Sequence, residues 1–187
     1  GVPASLFMAI TRSLFRTLSQ QVLSPAKIVT DMNNSISDNN ESNMFVTLIV
    51  GILDLETGKL KLCNAGHNPP ILVSFLEFKT QIFVGVIEEF AYTEDETTLE
   101  KGSKLFLYTD GVTEAENTEK ELYGDEKLLK TLSDNNTSDV RTTVNGIEDS
   151  VADHVKEAEA SDDLTILLIQ YEPGQQTIKH ISLWKEK

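Results

Sequence analysis

The spacing of apolar residues divides the chain into helical and strand segments. Near the N-terminus, apolar side chains recur every three or four residues, which is the period of an amphipathic helix. This helix is predicted over residues 3–21, and its apolar stripe consists of Leu6, Phe7, Ile10, Leu14, Phe15 and Leu18. A second helix is predicted from Ser24 and Pro25, because serine is a favoured N-cap and proline is tolerated in a first turn. The buried stripe of the second helix is predicted to be Ala26, Val29, Met32, Asn33 and Ile36.

From residue 44 onward the pattern favours β-strands. Two β-rich runs, residues 44–55 and 59–66, flank Glu56-Thr57-Gly58, and this arrangement predicts a hairpin. The first run is apolar on both faces, which predicts a strand buried on both sides. Its apolar residues are Val46, Leu48, Ile49, Val50, Ile52 and Leu53. Further strands are predicted at residues 68–78, 104–110 and 162–171.

Helices return between the last two predicted strands. A short helix is predicted from Gly124, and a longer one capped by Ser138. The apolar face of the longer helix is predicted to be Val140, Val144, Ile147, Val151 and Val155. The acidic runs at residues 88–89 and 94–96 are expected to be a solvated edge. Helices, a hairpin-rich sheet, helices and a closing strand predict an α+β layered domain rather than alternating βαβ units.

Length, charge and cysteine content limit the classes of function. A chain of 187 residues builds one ordinary domain. Its net charge of −14 repels phosphate backbones and anionic lipids, so binding to nucleic acid is not expected. The sequence contains no apolar run long enough to span a membrane and no signal peptide, so no direct membrane contact is expected of this segment. The single cysteine, Cys63, fits a reducing compartment and predicts a cytoplasmic protein.

Two acidic motifs stand at the edges of predicted strands. Asp110 ends the run KLFLYTD and precedes Gly111, whereas Asp162 and Asp163 open the run DDLTILLIQY. If the two strands are neighbours, the carboxylates lie close together and repel each other unless a cation lies between them. Oxygen ligands without a His or Cys cluster favour Mg²⁺ or Mn²⁺. A strand followed by Asp-Gly is also a common turn, and spacing alone leaves both interpretations open.

Four segments of the chain resemble successive blocks of a known enzyme family. GVPASLFMA, NMFVTLIVGILDLETGKLKLCNAGHNPPIL, KLFLYTDGVTEAEN and SDDLTILLIQ are similar to blocks of the SpoIIE/RsbU-like serine/threonine phosphatases of the PPM (type 2C) superfamily. They occur in the order of the family and together span residues 1 to about 171. The resemblance implies an α/β/β/α sandwich and a metal-dependent hydrolase for phosphoserine and phosphothreonine.

The resemblance also implies roles for particular residues. Asp110 and Asp162 match metal-ligand aspartates, and Asp163 is an additional candidate ligand. In this family two cations, Mn²⁺ or Mg²⁺, activate a water that attacks phosphorus, so no catalytic cysteine is needed. Gly111 and His67 are predicted to lie near the site. His67 could protonate a leaving alkoxide, or it could simply hydrogen-bond within the turn of residues 64–70, and the turn chemistry favours the second role.

The resemblance implies further features of the parent protein. Family members carry an earlier aspartate-glycine metal loop, so residues 1–173 are expected to form a phosphatase domain that is incomplete at its N-terminus, with 174–187 as a tail or linker. The implied substrate is a phosphorylated anti-sigma-factor antagonist, and the implied regulator is an upstream sensory domain, with a homodimer left open. The alternative is a catalytically silent binding module of the same fold. A structural Ca²⁺ site is a weaker alternative, because the sequence has no Asp-x-Asp-x-Asp-Gly loop.

The resemblance suggests where regulation reaches the metal site. The stripe of the first helix is expected to pack against the sheet beside the aspartates, so a shift of this helix would change the site.

Overall fold

Helices and strands are defined along most of the chain. The computed structural model describes residues 2–21, 23–38, 40, 43–72, 80–82, 84–158 and 162–174. The helices are α1 Val2–Leu18, α2 Pro25–Ser37, α3 Asp110–Thr113, α4 Gly124–Asp134 and α5 Val140–Val155. The strands are β1 Leu48–Leu53, β2 Lys59–Ala65, β3 Ile71–Leu72, β4 Thr80–Gln81, β5 Asp95–Thr98, β6 Lys104–Tyr108 and β7 Ile166–Gln170. Within the described ranges, none of the helices has the length and apolar character that spanning a bilayer requires.

These elements form two compact units. The first unit comprises Gly1–Pro69 and Phe78–Leu99, and the second comprises Pro70–Glu77 and Glu100–Lys187. In the first unit, α1 and α2 accompany a four-stranded sheet in which β2 pairs with β1, β4 and β5. In the second unit, α3, α4 and α5 accompany a three-stranded sheet of order β3-β6-β7. Each unit therefore combines helices with a sheet, in agreement with the predicted α+β class.

Helix α2 begins where the sequence predicts. Ser24 has an extended backbone, its hydroxyl accepts a hydrogen bond from the Lys27 amide at 3.2 Å, and Pro25 occupies the first turn. Its buried face differs slightly from the prediction, because Ile28 is buried and Ala26 is only half-buried. This face packs with β1 and β2 around a core that includes Ile28, Val29, Met32, Val50, Cys63, Ala65 and Val84.

The predicted hairpin is present. Strands β1 and β2 pair antiparallel, from Leu48 opposite Ala65 to Leu53 opposite Leu60. Gly58 has a φ of 74°, and its amide donates to the Asp54 carbonyl at 2.9 Å. The prediction that β1 is buried on both faces is wrong. Only Val50 in this strand is fully buried. Val50 and Leu48 lie on the face that packs in the core of the first unit, whereas Gly51 on the opposite face is exposed.

The predicted stripe of α1 is only partly buried. Three of its residues pack at the core of the first unit, namely Phe7, Leu14 and Leu18. The other three are exposed, with relative exposures of 61% for Leu6, 54% for Ile10 and 40% for Phe15. At 100° per residue, the six apolar side chains span a wider arc of the helix than the core of the first unit can cover. The residues on the flanks of the stripe therefore remain in solvent.

The sequence suggested that the acidic run 94–96 is a solvated edge, but the run takes part in the sheet. Asp95 and Glu96 lie in β5, which pairs antiparallel with β2. Lysines on β2 compensate the charge, since Lys59 lies 2.8 Å from Glu96 and Lys61 lies 3.4 Å from Glu94. Glu88 and Glu89 are exposed, as expected.

The carboxylate of Glu94 supports the start of α2. Its Oε2 accepts hydrogen bonds from the Ser24 hydroxyl at 2.7 Å and from the Ala26 amide at 3.2 Å. Partial burial raises the pKa of Glu94, but the hydrogen bonds and Lys61 outweigh burial, so the pKa lies below the ordinary value of 4.5. The ionised carboxylate therefore stabilises the folded state, and this stability is lost as the pH falls through the folded-state pKa.

We expect Glu94→Gln to lower the free energy of unfolding at pH 7 by about 0.5–1 kcal/mol, the lower part of the range for helix caps. Urea unfolding at several pH values measures this loss, which should shrink as the pH falls below 4.5. Glu96→Gln is the matched control, because its ion pair is half exposed and should contribute little. A loss that is the same at pH 3 and pH 7 would rule out the carboxylate as its source.

The second unit has its own core. Phe106 and Tyr108 of β6 and Ile166 and Leu168 of β7 pack against α4 and α5. The predicted apolar face of α5 is confirmed, with Val144, Ile147 and Val151 buried and Val140 and Val155 packed at its edge. The predicted cap is off by one residue. Asp139, not Ser138, is the N-cap, and its carboxylate accepts from the amides of Arg141 and Thr142.

Parts of two predictions lie outside the described residues. Of the strand predicted at residues 68–78, β3 covers only Ile71–Leu72, and residues 73–79 are not described. The predicted tail, residues 174–187, is described only at Gly174.

Candidate functional site

Strands β6 and β7 bring the two aspartate motifs to the same edge of one sheet. They pair antiparallel, and Tyr108 lies opposite Ile166 at the last position of the ladder. The pairing continues one step further, because the Thr109 amide donates to the Thr165 carbonyl at 3.1 Å. Asp110 therefore follows β6 at the point where Asp162 and Asp163 precede β7. The predicted placement at neighbouring strand ends is correct.

Gly111 is the point of closest approach between the two motifs. A Cβ atom built on Gly111 would lie 3.0 Å from the carbonyl carbon of Asp163 and closer still to its oxygen. Real Cβ atoms essentially never come so near, and the opposing atoms are backbone atoms that cannot rotate away. Glycine is therefore required here for close approach to the Asp163 backbone. The prediction that Gly111 lies near a metal site stays a prediction.

Local hydrogen bonds orient the aspartates. Asp110 opens the short helix α3, and its Oδ1 accepts from the Gly111 amide at 3.0 Å. Asp162 Oδ1 accepts from the Asp163 amide at 2.7 Å. All three aspartates are exposed to solvent. Within the described part of the chain, no lysine or arginine forms an ion pair with any of them.

The donor chemistry of this site fits a hard divalent cation, but the number of ligands is small. Carboxylate oxygens are the kind of ligand that Mg²⁺ and Mn²⁺ prefer. Among the described residues, however, no group of three or more His, Cys, Asp or Glu side chains is close enough to hold a metal ion. The assignment of Asp110, Asp162 and Asp163 as metal ligands therefore stays a prediction.

His67 lies in the tight turn that the sequence suggested. Its amide donates to Asn64 Oδ1 at 2.9 Å, its carbonyl accepts from Asn64 Nδ2 at 3.0 Å, and Gly66 has a φ of 76°. The Asn68 amide donates to His67 Nδ1 at 2.7 Å, so this ring nitrogen serves as an acceptor. His67 belongs to the first unit and the aspartates to the second. Its role near the site stays a prediction.

Sequence reasoning passed over Thr109, the residue between β6 and Asp110. Threonine is a common N-cap, and the only signal was its position directly before Asp-Gly. Its hydroxyl contacts the segment that carries the second aspartate motif.

Solved structures with the same fold define the class of domain. The SiaA-PP2C domain of Pseudomonas aeruginosa superposes with a TM-score of 0.80 at 18% identity, covering 92% of this chain and 72% of that one. The RsbU and RsbW domains of Rv1364c from Mycobacterium tuberculosis give a TM-score of 0.73 at 19% identity, covering 94% of this chain and 49% of that one. This likeness confirms the predicted fold class, the α+β fold of PP2C-type phosphatase domains.

The sequence assigns the family within this class. The family described as Stage II sporulation protein E (SpoIIE) matches residues 1–172. The chain therefore belongs to the SpoIIE family, which confirms the resemblance drawn from its sequence blocks.

Characterised relatives are longer than this chain. Protein IcfG of Synechocystis sp. is 26% identical over 201 residues, covering 90% of this chain and 32% of IcfG. The phosphoserine phosphatase RsbU of Bacillus subtilis is 24% identical over 176 residues, covering 91% of this chain and 52% of RsbU. The chain thus spans about a third to a half of the length of these relatives.

A structure of the same fold contains a divalent cation. RsbX, in complex with magnesium, has a TM-score of 0.61 at 20% identity, covering 90% of this chain and 74% of that chain. Magnesium is thus present in one structure of this fold.

Proposed function

We propose that this chain is the catalytic domain of a metal-dependent protein serine/threonine phosphatase. The observation that carries the proposal is the juxtaposition of Asp110 with Asp162 and Asp163 at the paired ends of β6 and β7, in a chain of the SpoIIE family. The name of RsbU, a phosphoserine phosphatase, supports the same activity. The domain is proposed to be residues 1–173, with 174–187 as a tail or linker.

The chain's own residues would hold the cations at this edge of the sheet. Asp110 and Asp162 are the proposed ligands, with Asp163 as an additional one. When bound, two such cations lower the pKa of a coordinated water and neutralise the charge that develops on the phosphoryl group. The protein contributes rigidity, because the close contact at Gly111 and the β6–β7 ladder fix the spacing of the two motifs.

The proposed substrate is a phosphoserine or phosphothreonine on a regulatory protein, such as an anti-sigma-factor antagonist in a bacterial signalling pathway. The RsbU relative and the structure that combines RsbU and RsbW domains support this setting. The same proposal includes an upstream sensory domain in the parent protein as the regulator. It also includes a homodimer and a cytoplasmic location. The acidic charge of −14 supports a protein partner rather than a nucleic acid.

Phosphate release from a phosphoserine-containing protein tests the activity. We expect the full-length protein to release phosphate in the presence of Mn²⁺ or Mg²⁺, to stop when EDTA is added, and to resume when excess Mn²⁺ is restored. Full activity after chelation would exclude the proposed metal-dependent chemistry. A folded protein that releases no phosphate under any metal condition would instead favour a silent binding module.

A further inference from the structure

The hydroxyl of Thr109 joins the two aspartate motifs. It accepts a hydrogen bond from the Thr165 amide at 3.2 Å and lies 3.3 Å from the Asp163 carbonyl, to which it donates. A hydroxyl has one proton to donate and lone pairs to accept, so both contacts form at once. The partners lie 54 and 56 residues away along the chain, so these contacts are tertiary rather than local.

This use of the hydroxyl differs from the usual role of a threonine at such a position. Thr109 is the N-cap of α3, with an extended backbone at φ −89° and ψ 163°. N-cap threonines ordinarily accept a hydrogen bond from an amide in the first turn of the helix. At Thr109 no such side-chain bond forms. The hydroxyl is directed instead to the segment before β7.

A second residue, Gly111, also lies close to the Asp163 carbonyl. The carbonyl faces Gly111, where the absence of a Cβ permits contact with the backbone. The residues on either side of Asp110 therefore both contact the segment that carries Asp162 and Asp163. The Thr109 amide adds a third link through the Thr165 carbonyl at 3.1 Å. Asp110 is thus flanked by two residues that set its distance from the other motif.

We propose that Thr109 is a positioning residue of the metal site. Its hydroxyl fixes the 162–165 segment against the residue that precedes Asp110, and so sets the separation of the two motifs whose carboxylates would hold the cations. This inference rests on the proposed function. Residues that orient metal ligands through a hydrogen bond typically change metal affinity by about 10- to 100-fold when they are replaced.

The variant Thr109→Val tests this role, because valine keeps the shape of threonine and removes the hydroxyl. We expect the full-length variant to bind Mn²⁺ about tenfold more weakly than the wild type, measured by titration calorimetry. Without metal, the Thr165 amide should exchange its hydrogen faster, because it loses the partner of its hydrogen bond. Thr109→Ser keeps the hydroxyl and should retain Mn²⁺ affinity within about twofold. If Thr109→Val does not fold, Thr109→Ala removes the same hydroxyl and takes its place.

Thr143→Val is the matched control in the same unit. Thr143 is 1% exposed, and its hydroxyl shares its one proton between the carbonyls of Asp139 at 3.0 Å and Asn135 at 3.2 Å. This variant should lose thermal stability while keeping wild-type Mn²⁺ affinity. Mn²⁺ affinity that is equal in Thr109→Val and the wild type would overturn the positioning role while leaving the phosphatase proposal intact. A wild-type protein that binds no Mn²⁺ would overturn both.

Discussion

Replacing Asp110 with asparagine is expected to reduce the rate of phosphoprotein hydrolysis by roughly 10²- to 10³-fold, the size typical of losing one group that stabilises developing charge. Asparagine preserves the shape of the side chain, but a neutral amide is a weaker ligand for a hard cation. The fold should persist, because Asp110 is exposed and, among the described residues, its side chain accepts a hydrogen bond from the Gly111 amide alone. Single-turnover hydrolysis with saturating Mn²⁺ measures the loss.

Asp134→Asn is the matched control for this prediction. Asp134 is an exposed aspartate of the same unit, at the end of α4, and belongs to neither acidic motif. This variant removes the same single charge as Asp110→Asn. Because it leaves both acidic motifs intact, it should keep the wild-type rate. Equal rates for Asp110→Asn and Asp134→Asn would show that Asp110 does not take part in the chemistry.

The second large effect is expected from Gly111→Ala. The added methyl group would overlap the Asp163 backbone, so the segments must separate, and overpacking of this kind costs about 1–3 kcal/mol. Because the separation moves Asp163 away from Asp110, hydrolysis and Mn²⁺ affinity should fall together with stability. Urea unfolding and a Mn²⁺ titration on the same preparation report both effects.

Gly51→Ala is the control for the glycine substitution. A Cβ at Gly51 would have its nearest neighbours at 3.7 and 3.8 Å, which is ordinary van der Waals contact. This variant should be as stable and as active as the wild type. If Gly111→Ala also matched the wild type, the close contact between the aspartate motifs would have no bearing on the site.

Local sequence signals predicted the elements whose stabilising contacts are local. Ser24 and Pro25 predicted the start of α2, because the cap bonds residues three positions away. The spacing of valine and isoleucine predicted the buried face of α5, because residues three or four positions apart lie on the same face of a helix. The Glu56-Thr57-Gly58 turn and the Asp-Gly motif after β6 were likewise readable from adjacent residues.

Features that depend on distant residues were missed or misplaced. Strand β5 was not predicted because acidic residues disfavour strands, and the lysines of β2 that compensate Glu94 and Glu96 lie far away along the chain. The burial of α1 was overestimated because the apolar period does not show which part of a wide stripe meets the core. Thr109 was passed over because its partners lie on the other strand of the ladder.

We propose above that the ends of β6 and β7 hold the cations of a phosphatase. The most direct measurement is the anomalous scattering of Mn²⁺ in crystals of the full-length protein that are soaked with the metal. We expect an anomalous peak in contact with the carboxylate of Asp110 and with that of Asp162 or Asp163. A Mn²⁺ peak that contacts none of these aspartates, in a protein that hydrolyses its substrate with Mn²⁺, would contradict this proposal.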